Sequence, residues 1–289
     1  MTQEQVLDKL TTDIHLRGLS DNTVIEYRDK ARVFMRHFGK SADEMGEAEF
    51  RISLEYLDRE GRLVPGSINT YNSALRFLFE VTLEQNLNYK RLPRKKDPIK
   101  IPPTLMKEEI SKFLNAIDDL RYKTIFSILY GSGLRISEVQ TLRIQDIDSK
   151  QMRIFIYQAK GKKDRYVPLA NACLLLLREY FKKYHPKHVD GYLFLNQKAD
   201  KHISDRAIQD AFKKYHNMSE IKTKATVHTL RHSFATHLFE DGINIFFIQK
   251  LLGHATISST MRYLRIAQTD VLKTHSPLDT IMGMVTDHA

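Results

Sequence analysis

The chain has one cysteine, Cys173, among its 289 residues, so no internal disulfide can form, and a reducing, cytoplasmic setting is expected. No apolar run approaches the roughly 20 residues of a membrane-spanning helix. The start, Met1-Thr2-Gln3-Glu4, lacks the basic and then apolar pattern of a secretory signal. There is no internal repeat and no low-complexity segment. Acidic residues are the other shortage, 35 against 45 basic ones, which leaves a formal net charge of +10 and a pI near 9.4. That balance favours a polyanionic partner, nucleic acid first and an anionic membrane surface second. Apolar residues make up 42%, enough for a sizeable core, and the length suits two domains or one large one.

The first 85 residues read as helical. Val6, Leu10, Ile14 and Leu16 start one helix, which Gly18-Leu19-Ser20 breaks. Ser20 or Asn22 caps a second, with Val24, Tyr27, Ala31, Phe34 and Phe38 on one face. Phe50, Leu54 and Leu57 mark a third that ends at Gly61, and Pro65-Gly66-Ser67 opens a fourth with Ile68, Tyr71, Leu75 and Leu78 inward. Four short helices make a bundle. Residues 86–104 then hold four prolines and six basic residues, among them Arg94, Lys95 and Lys96. Proline prevents helix continuation, so this stretch reads as an extended interdomain linker, either simply solvated or strapped across phosphates.

A second domain follows from about 105 to 289. Helices are expected from Lys107 to about Ile117 and from Tyr122 to Tyr130, then a tight Gly131-Ser132-Gly133 turn and a third helix from Leu134. Met152–Tyr157 and Arg165–Leu169 read as two strands joined by the hairpin turn Gly161-Lys162-Lys163-Asp164. More helices come at Ala172–Lys183, where Cys173 reads as core, and at Ser204–Tyr215. The fold class is therefore mainly α with a small β-sheet: an N-terminal helical bundle plus a mixed α/β domain.

Chemistry concentrates between residues 227 and 263. Val227, Leu230, Phe234 and Leu238 step by three and four, the mark of an amphipathic helix on which His228 and Arg231 share a face. Ile245–Leu252 forms another helix, with Gly253 as its stop and His254 directly after it. Ser258 or Ser259 can cap a third helical piece carrying Tyr263. Attack on a phosphodiester places extra negative charge on the non-bridging oxygens, and fixed cations or a metal must neutralise it. Arginine suits this, because its planar fork grips two oxygens and stays charged. A tyrosine can be the nucleophile if neighbours help it lose a proton.

Spacing alone does not gather these residues, but a resemblance does. Gly131-Ser132-Gly133-Leu134-Arg135-Ile136-Ser137-Glu138, Lys160-Gly161-Lys162-Lys163-Asp164-Arg165, His228-Thr229-Leu230-Arg231-His232, Leu251-Leu252-Gly253-His254 and Tyr263 follow one another in that order. The series resembles the tyrosine recombinases, or phage-type integrases, and their Xer members. Leu19-Ser20-x-x-Thr23-x-x-x-Tyr27 resembles the start of their core-binding domain. The resemblance implies that Arg135 and Arg231 clamp the scissile phosphate and that Lys160 protonates the leaving 5′ oxygen. His228 would assist proton transfer, His254 would hydrogen-bond the phosphate, and Tyr263 would form a 3′-phosphotyrosine. Glu138, one turn beyond Arg135, can hold that guanidinium. Lys162 and Lys163 would contact DNA with Arg94, Lys95 and Lys96, and either could replace Lys160 as the acid. No ATP, metal or other cofactor is implied. The partners would be duplex DNA with a specific site and a homotetramer, exchanging strands through a four-way junction. The two domains would clamp the duplex, with no room for an arm-binding domain. The tail, 264–289, would dock on the next protomer through Leu278, Ile281, Met282 and Val285, or fold back on its own domain.

Local alternatives remain at this level. The His228/His232 spacing can bind zinc, but no third ligand stands near and Arg231 between them would repel a cation. The last helices also imitate a helix-turn-helix, which would make Tyr263 a mere DNA contact. His237 reads as a surface or packing residue, and Tyr130, Tyr157 and Tyr166 as core or hairpin packing. A topoisomerase of the same chemistry, or a non-catalytic DNA-binding regulator, are the rival functions. The Leu264-Arg265-Ile266 that follows Tyr263 departs from the Thr-His-Val frequent in the resembled family.

Overall fold

The computed structural model describes residues 1–60, 63–96, 102–159, 163–254, 256–257 and 260–261. The chain divides into two units, Met1–Ile99 and Lys100–Ala289. It is mainly helical with one small antiparallel sheet. Among the described residues, no helix is long and apolar enough to cross a membrane.

The first unit is a four-helix bundle: α1 (Gln3–Leu16), α2 (Asp21–Phe38), α3 (Glu47–Arg59) and α4 (Pro65–Arg76). Each start has a local cause. Thr2 and Gln5 form a capping box on α1, Ser20 caps α2, Glu49 reaches back to the Gly46 amide before α3, and Pro65 opens α4. The expected inward residues Val6, Leu10, Ile14, Phe34, Phe50, Ile68, Tyr71, Leu75 and Leu78 are buried. Leu16 is not; it is 81% exposed, because it sits in the last turn where α1 has run past the core. After α4 the chain widens into a π-helical turn, Phe77–Thr82, which sets Phe79 between Phe34 and Phe50.

Residues 86–96, expected as part of an extended interdomain linker, are held on this bundle. Leu92 is fully buried. The Arg76 guanidinium donates to its carbonyl, and the buried Asn72 amide donates to Pro93 O at 3.3 Å. The Asn69 side chain makes a two-bond pair with the Lys95 backbone, 2.9 Å each way. Proline and charge set an extended shape here, but one buried leucine and side-chain amides on α4 decide where it lies.

In the second unit come α5 (Lys107–Asn115), α6 (Leu120–Gly131), α7 (Ile136–Gln140), β1 (Ile147–Asp148), β2 (Arg153–Ala159), β3 (Lys163–Pro168), α8 (Asn171–Tyr184), α9 (Asp205–Met218), α10 (Val227–Glu240) and α11 (Ile245–Leu252). The sheet order is β1-β2-β3, with Ile154 opposite Val167 and Ile156 opposite Arg165. Two strands were expected; the third, β1, is only two residues long and shows no periodicity. Ile154, Ile156 and Val167 enter a core with Phe113, Phe126, Phe194, Phe212 and Cys173. Burial of this kind contributes about 1.5–3 kcal/mol per large side chain. Tyr157 and Tyr166 lie on the exposed outer face, where Tyr166 packs on Phe155 and under the Arg153 guanidinium.

One expectation about α10 fails. It is not amphipathic: Val227, Leu230 and Phe234 are buried, but so are Thr229, Arg231, Ser233, Ala235, Thr236 and His237. It packs against α6, α9 and α11, so most of its circumference faces protein. His237 is thus a core residue that meets the Tyr130 hydroxyl through Nδ1 at 3.0 Å. This interior placement also takes Arg231 out of solvent.

Candidate active site

The site begins at the turn between α6 and α7. Gly133 has φ +63°, and a Cβ there would lie 2.4 Å from the Phe234 ring of α10. Only glycine allows both that conformation and that approach. The turn delivers Arg135 to the N-cap of α7, where Glu138 accepts the Arg135 amide at 2.8 Å. The same carboxylate accepts Arg135 Nη1 at 2.7 Å. An Arg-x-x-Glu spacing across a helix start is therefore enough to fix this guanidinium.

Two more guanidiniums reach Glu138 from distant sequence. Arg165 on β3 places Nη1 2.9 Å from Oε1 and Nη2 2.8 Å from Oε2, a bidentate pair. Arg231 Nη1 lies 3.8 Å from Oε2. Glu138, Arg165 and Arg231 side chains are only 7%, 8% and 5% exposed, while Arg135 is 18% exposed. Among the described residues, three guanidiniums thus gather around this one carboxylate in a largely dry place. Burial alone would raise the Glu138 pKa; the Arg165 bonds and charge, with Arg135, outweigh it and hold the carboxyl at about 2.

All three arginines also grip the turn after α11. Arg165 Nε donates to Leu251 O at 2.7 Å, Arg231 Nη2 to Leu252 O at 2.6 Å, and Arg135 Nη2 to Gly253 O at 3.3 Å. Arg231 Nη1 donates to Gly133 O at 2.6 Å. Three successive carbonyls are thus each held by a different arginine. These are the unpaired carbonyls of a helix C-terminus, where cations are favourable.

His254 follows in the same cluster. Its Nε2 lies 3.2 Å from Arg231 Nη2 and its Nδ1 2.9 Å from Thr260 Oγ1. Arginine can only donate, so Nε2 accepts, which places the ring proton on Nδ1. Burial, then the charges of Arg231, Arg135 and Arg165, lowers the His254 pKa to about 4. His232 falls to about 4 through burial, then His228 and Arg231. His228, on the exposed first turn of α10, is also lowered, by desolvation first and then Arg231, against the opposing Asp205. All three imidazoles are neutral at pH 7.

The fold thus brings together Arg135, Glu138, Arg231 and His254, with His228 near enough to feel both arginines. Lys160, Lys162 and Tyr263 lie outside the described residues, as does the tail at 264–289. Lys163 begins β3. Arg94, Lys95 and Lys96 are exposed in the first unit, where Arg94 bonds Ser73 Oγ and Lys95 pairs with Asp58. Among the described residues, no group of three His, Cys, Asp or Glu side chains is placed to hold a metal ion.

Known proteins share this arrangement of sequence. The phage integrase family profile matches residues 103–270, and the profile of its N-terminal SAM-like domain matches residues 6–89. The chain belongs to the phage integrase family, the tyrosine recombinases. A protein of Sinorhizobium fredii named as an integrase/recombinase is 39% identical over 285 residues, covering 97% of this chain and 92% of that protein. The tyrosine recombinase XerA of Pyrococcus furiosus is 33% identical over 271 residues, 91% of this chain and 90% of that one. Among solved structures, a lambda integrase tetramer bound to a Holliday junction has a TM-score of 0.71 at 18% identity, covering 91% of this chain and 77% of that one. At that identity the likeness speaks for the fold alone.

Within this candidate site, sequence pattern assigns no role to three residues: Arg165, Thr260 and Gly133 as a contact for Phe234. Arg165 had a findable signal. On β3 it shares the inward face with Val167, two residues on, and a charged residue at an inward strand position needs a buried partner. Thr260 had none, because its partner is set by the turn after α11.

Proposed function

We propose that this chain cleaves and rejoins DNA at a defined site through a 3′-phosphotyrosine. One observation carries the reading: Arg135 and Arg231, 96 positions apart in sequence, meet on the Leu252–His254 turn with Glu138 behind them. Such a pair is pre-set for the non-bridging oxygens of a phosphate, and its fixed charges need no reorganisation as the transition state gains charge. Arg135 is the more exposed and meets the backbone first; Arg231 supports it from inside.

In this reading the Tyr263 oxygen attacks phosphorus and the bond from phosphorus to the 5′ oxygen breaks. The tyrosine proton passes to neutral His228, and Lys160 gives a proton to the leaving 5′ oxygen. Rejoining reverses these steps with a 5′ hydroxyl from the partner strand. The phosphodiester energy is kept in the covalent link, so no nucleotide is consumed. For His254 to donate to the phosphate, Nε2 must carry a proton, either by protonation of the ring or by a tautomer shift in which the Thr260 hydroxyl donates to Nδ1.

The finer assembly is part of the same proposal. The 1–85 bundle would read the core site, the 86–104 stretch would follow the backbone, and 105–289 would carry the chemistry. Four protomers would exchange strands through a four-way junction, with the tail at 264–289 docking between neighbours. Lambda integrase, crystallised as a tetramer on such a junction, supports the tetramer and the junction. The test is covalent capture. A pool of nicked duplexes with randomised half-sites is mixed with protein, and adducts are recovered from a denaturing gel. Wild type should capture a defined sequence and Tyr263→Phe none. An adduct with Tyr263→Phe would move the nucleophile elsewhere; no adduct from wild type would refute the reading.

A further inference from the structure

Arg165 is a fully engaged cation in the second unit's site. Its Nε, Nη1 and Nη2 are all engaged, by Leu251 O and by the two Glu138 oxygens, at 2.7–2.9 Å. The group is 8% exposed, so it faces inward rather than toward a ligand. It touches both supports of the phosphate clamp at once. Through Glu138 it reaches Arg135, and through Leu251 it reaches the turn that presents His254.

Gly253 gives an independent sign of the same arrangement. Its φ is +62°, and a Cβ there would lie 3.2 Å from both Cδ and Nη1 of Arg165. The Arg165 side chain lies against this glycine, close to where a side chain would begin. The Leu-Gly-His turn is thus shaped around Arg165 as well as by its own backbone. The strand that carries Arg165 begins at Lys163, directly after the hairpin expected to carry the general acid. One side chain therefore ties the hairpin strand to α7 and to the turn after α11.

We propose that Arg165 is a positioning residue for DNA cleavage, which aims Arg135 through Glu138 and holds the Leu251–His254 turn in register with it. This rests on the recombinase reading above. It sets the arginine apart from the clamp itself, since Arg165 contacts no substrate and acts through its neighbours.

The experiment is single-turnover cleavage of the captured duplex by the full chain. Two forms of the duplex are compared, one with an ordinary scissile phosphate and one with an uncharged methylphosphonate there. Arg165→Met should cleave the ordinary duplex about 100-fold more slowly, the scale of a small misplacement of catalytic groups. DNA affinity should stay near wild type. On the methylphosphonate, which lacks the charge that the clamp serves, the defect should largely disappear. Arg165→Lys should recover part of the rate, since a point charge cannot serve three acceptors in a plane. Equal losses on both duplexes would make Arg165 merely structural and overturn the proposal. So would cleavage within about threefold of wild type on the ordinary duplex. If Arg165→Met shows no cooperative melting, Arg165→Lys is judged by the same ratio between duplexes. If wild type itself captures no DNA, the recombinase reading falls and this one with it; if wild type cleaves and the ratio is absent, only this one falls.

Discussion

Two basic regions of the molecule differ in almost every physical respect. Arg94, Lys95 and Lys96 are exposed and close together in sequence; Arg135, Arg165 and Arg231 are mostly buried and come from three separate segments. Each set adds three charges to the total. The exposed set is screened by water and salt, and its ion pair among the described residues, Lys95 with Asp58, is nearly half exposed on each side. The buried set has lost its water and is ordered by one carboxylate and four backbone carbonyls. The first kind of charge attracts a polyanion from a distance. In the proposed reading the second kind, through Arg135 and Arg231, would hold one phosphate in a set geometry.

The largest break in this contrast is expected from Arg231→Ala. Single-turnover cleavage should fall by about a thousandfold, or about 4 kcal/mol, as when one fixed electrostatic partner of a transition state is removed. The variant also leaves Gly133 O and Leu252 O without their donor, so its unfolding midpoint in urea should drop. Glu138→Gln should cost about 3–5 kcal/mol of stability by the same measurement, because it strips buried guanidiniums of their counter-charge. A cost below about 1 kcal/mol would mean that water already screens the cluster.

Acid separates the two regions further. His254 and His232 have folded values near 4 against 6.5 when unfolded. A depressed pKa gives stability that is complete above 6.5 and is lost as pH falls from 6.5 toward 4. Glu138, at about 2 against 4.5, follows the same sign: its contribution is complete above 4.5 and disappears between 4.5 and 2. Melting temperature should therefore fall in two stages on acidification. Glu138→Gln should shrink the lower stage, to which the depressed carboxyls of Asp43, Glu49, Asp118 and Asp148 also contribute, and leave the histidine stage. A single stage in wild type would contradict the assignment.

The smallest effect is expected in the exposed set. Replacing Arg94, Lys95 and Lys96 together with alanine should barely move the melting temperature. It should lower DNA affinity and reduce the salt dependence of binding by up to about three in slope, near one for each phosphate no longer neutralised. An unchanged slope would show that these side chains only dress the bundle surface.

The helices were legible for a local reason. Apolar spacing placed Val6, Leu10 and Ile14 in one core and Ile68, Tyr71 and Leu75 in the same one, and capping residues marked the starts. Periodicity misled at α10, where a helix buried on most sides reads like an amphipathic one until its polar interior residues are seen. It also missed β1, whose two residues carry no pattern. Proline and charge made 86–96 look like an interdomain linker, because neither reveals that Leu92 has a pocket among helices far upstream in the chain.

The sequence by itself determined the order and kind of most elements, the Arg135–Glu138 pair and membership of the integrase family. These depend on residues within a helical turn of each other, or on motifs in a set order. Only the tertiary structure decided that Arg165 shares that carboxylate, that three arginines hold three successive carbonyls, and that His254 accepts from Arg231. Those interactions join residues 21 to 118 positions apart. No local spacing encodes them, since they form only when the core closes and removes the water that would otherwise keep the charges apart.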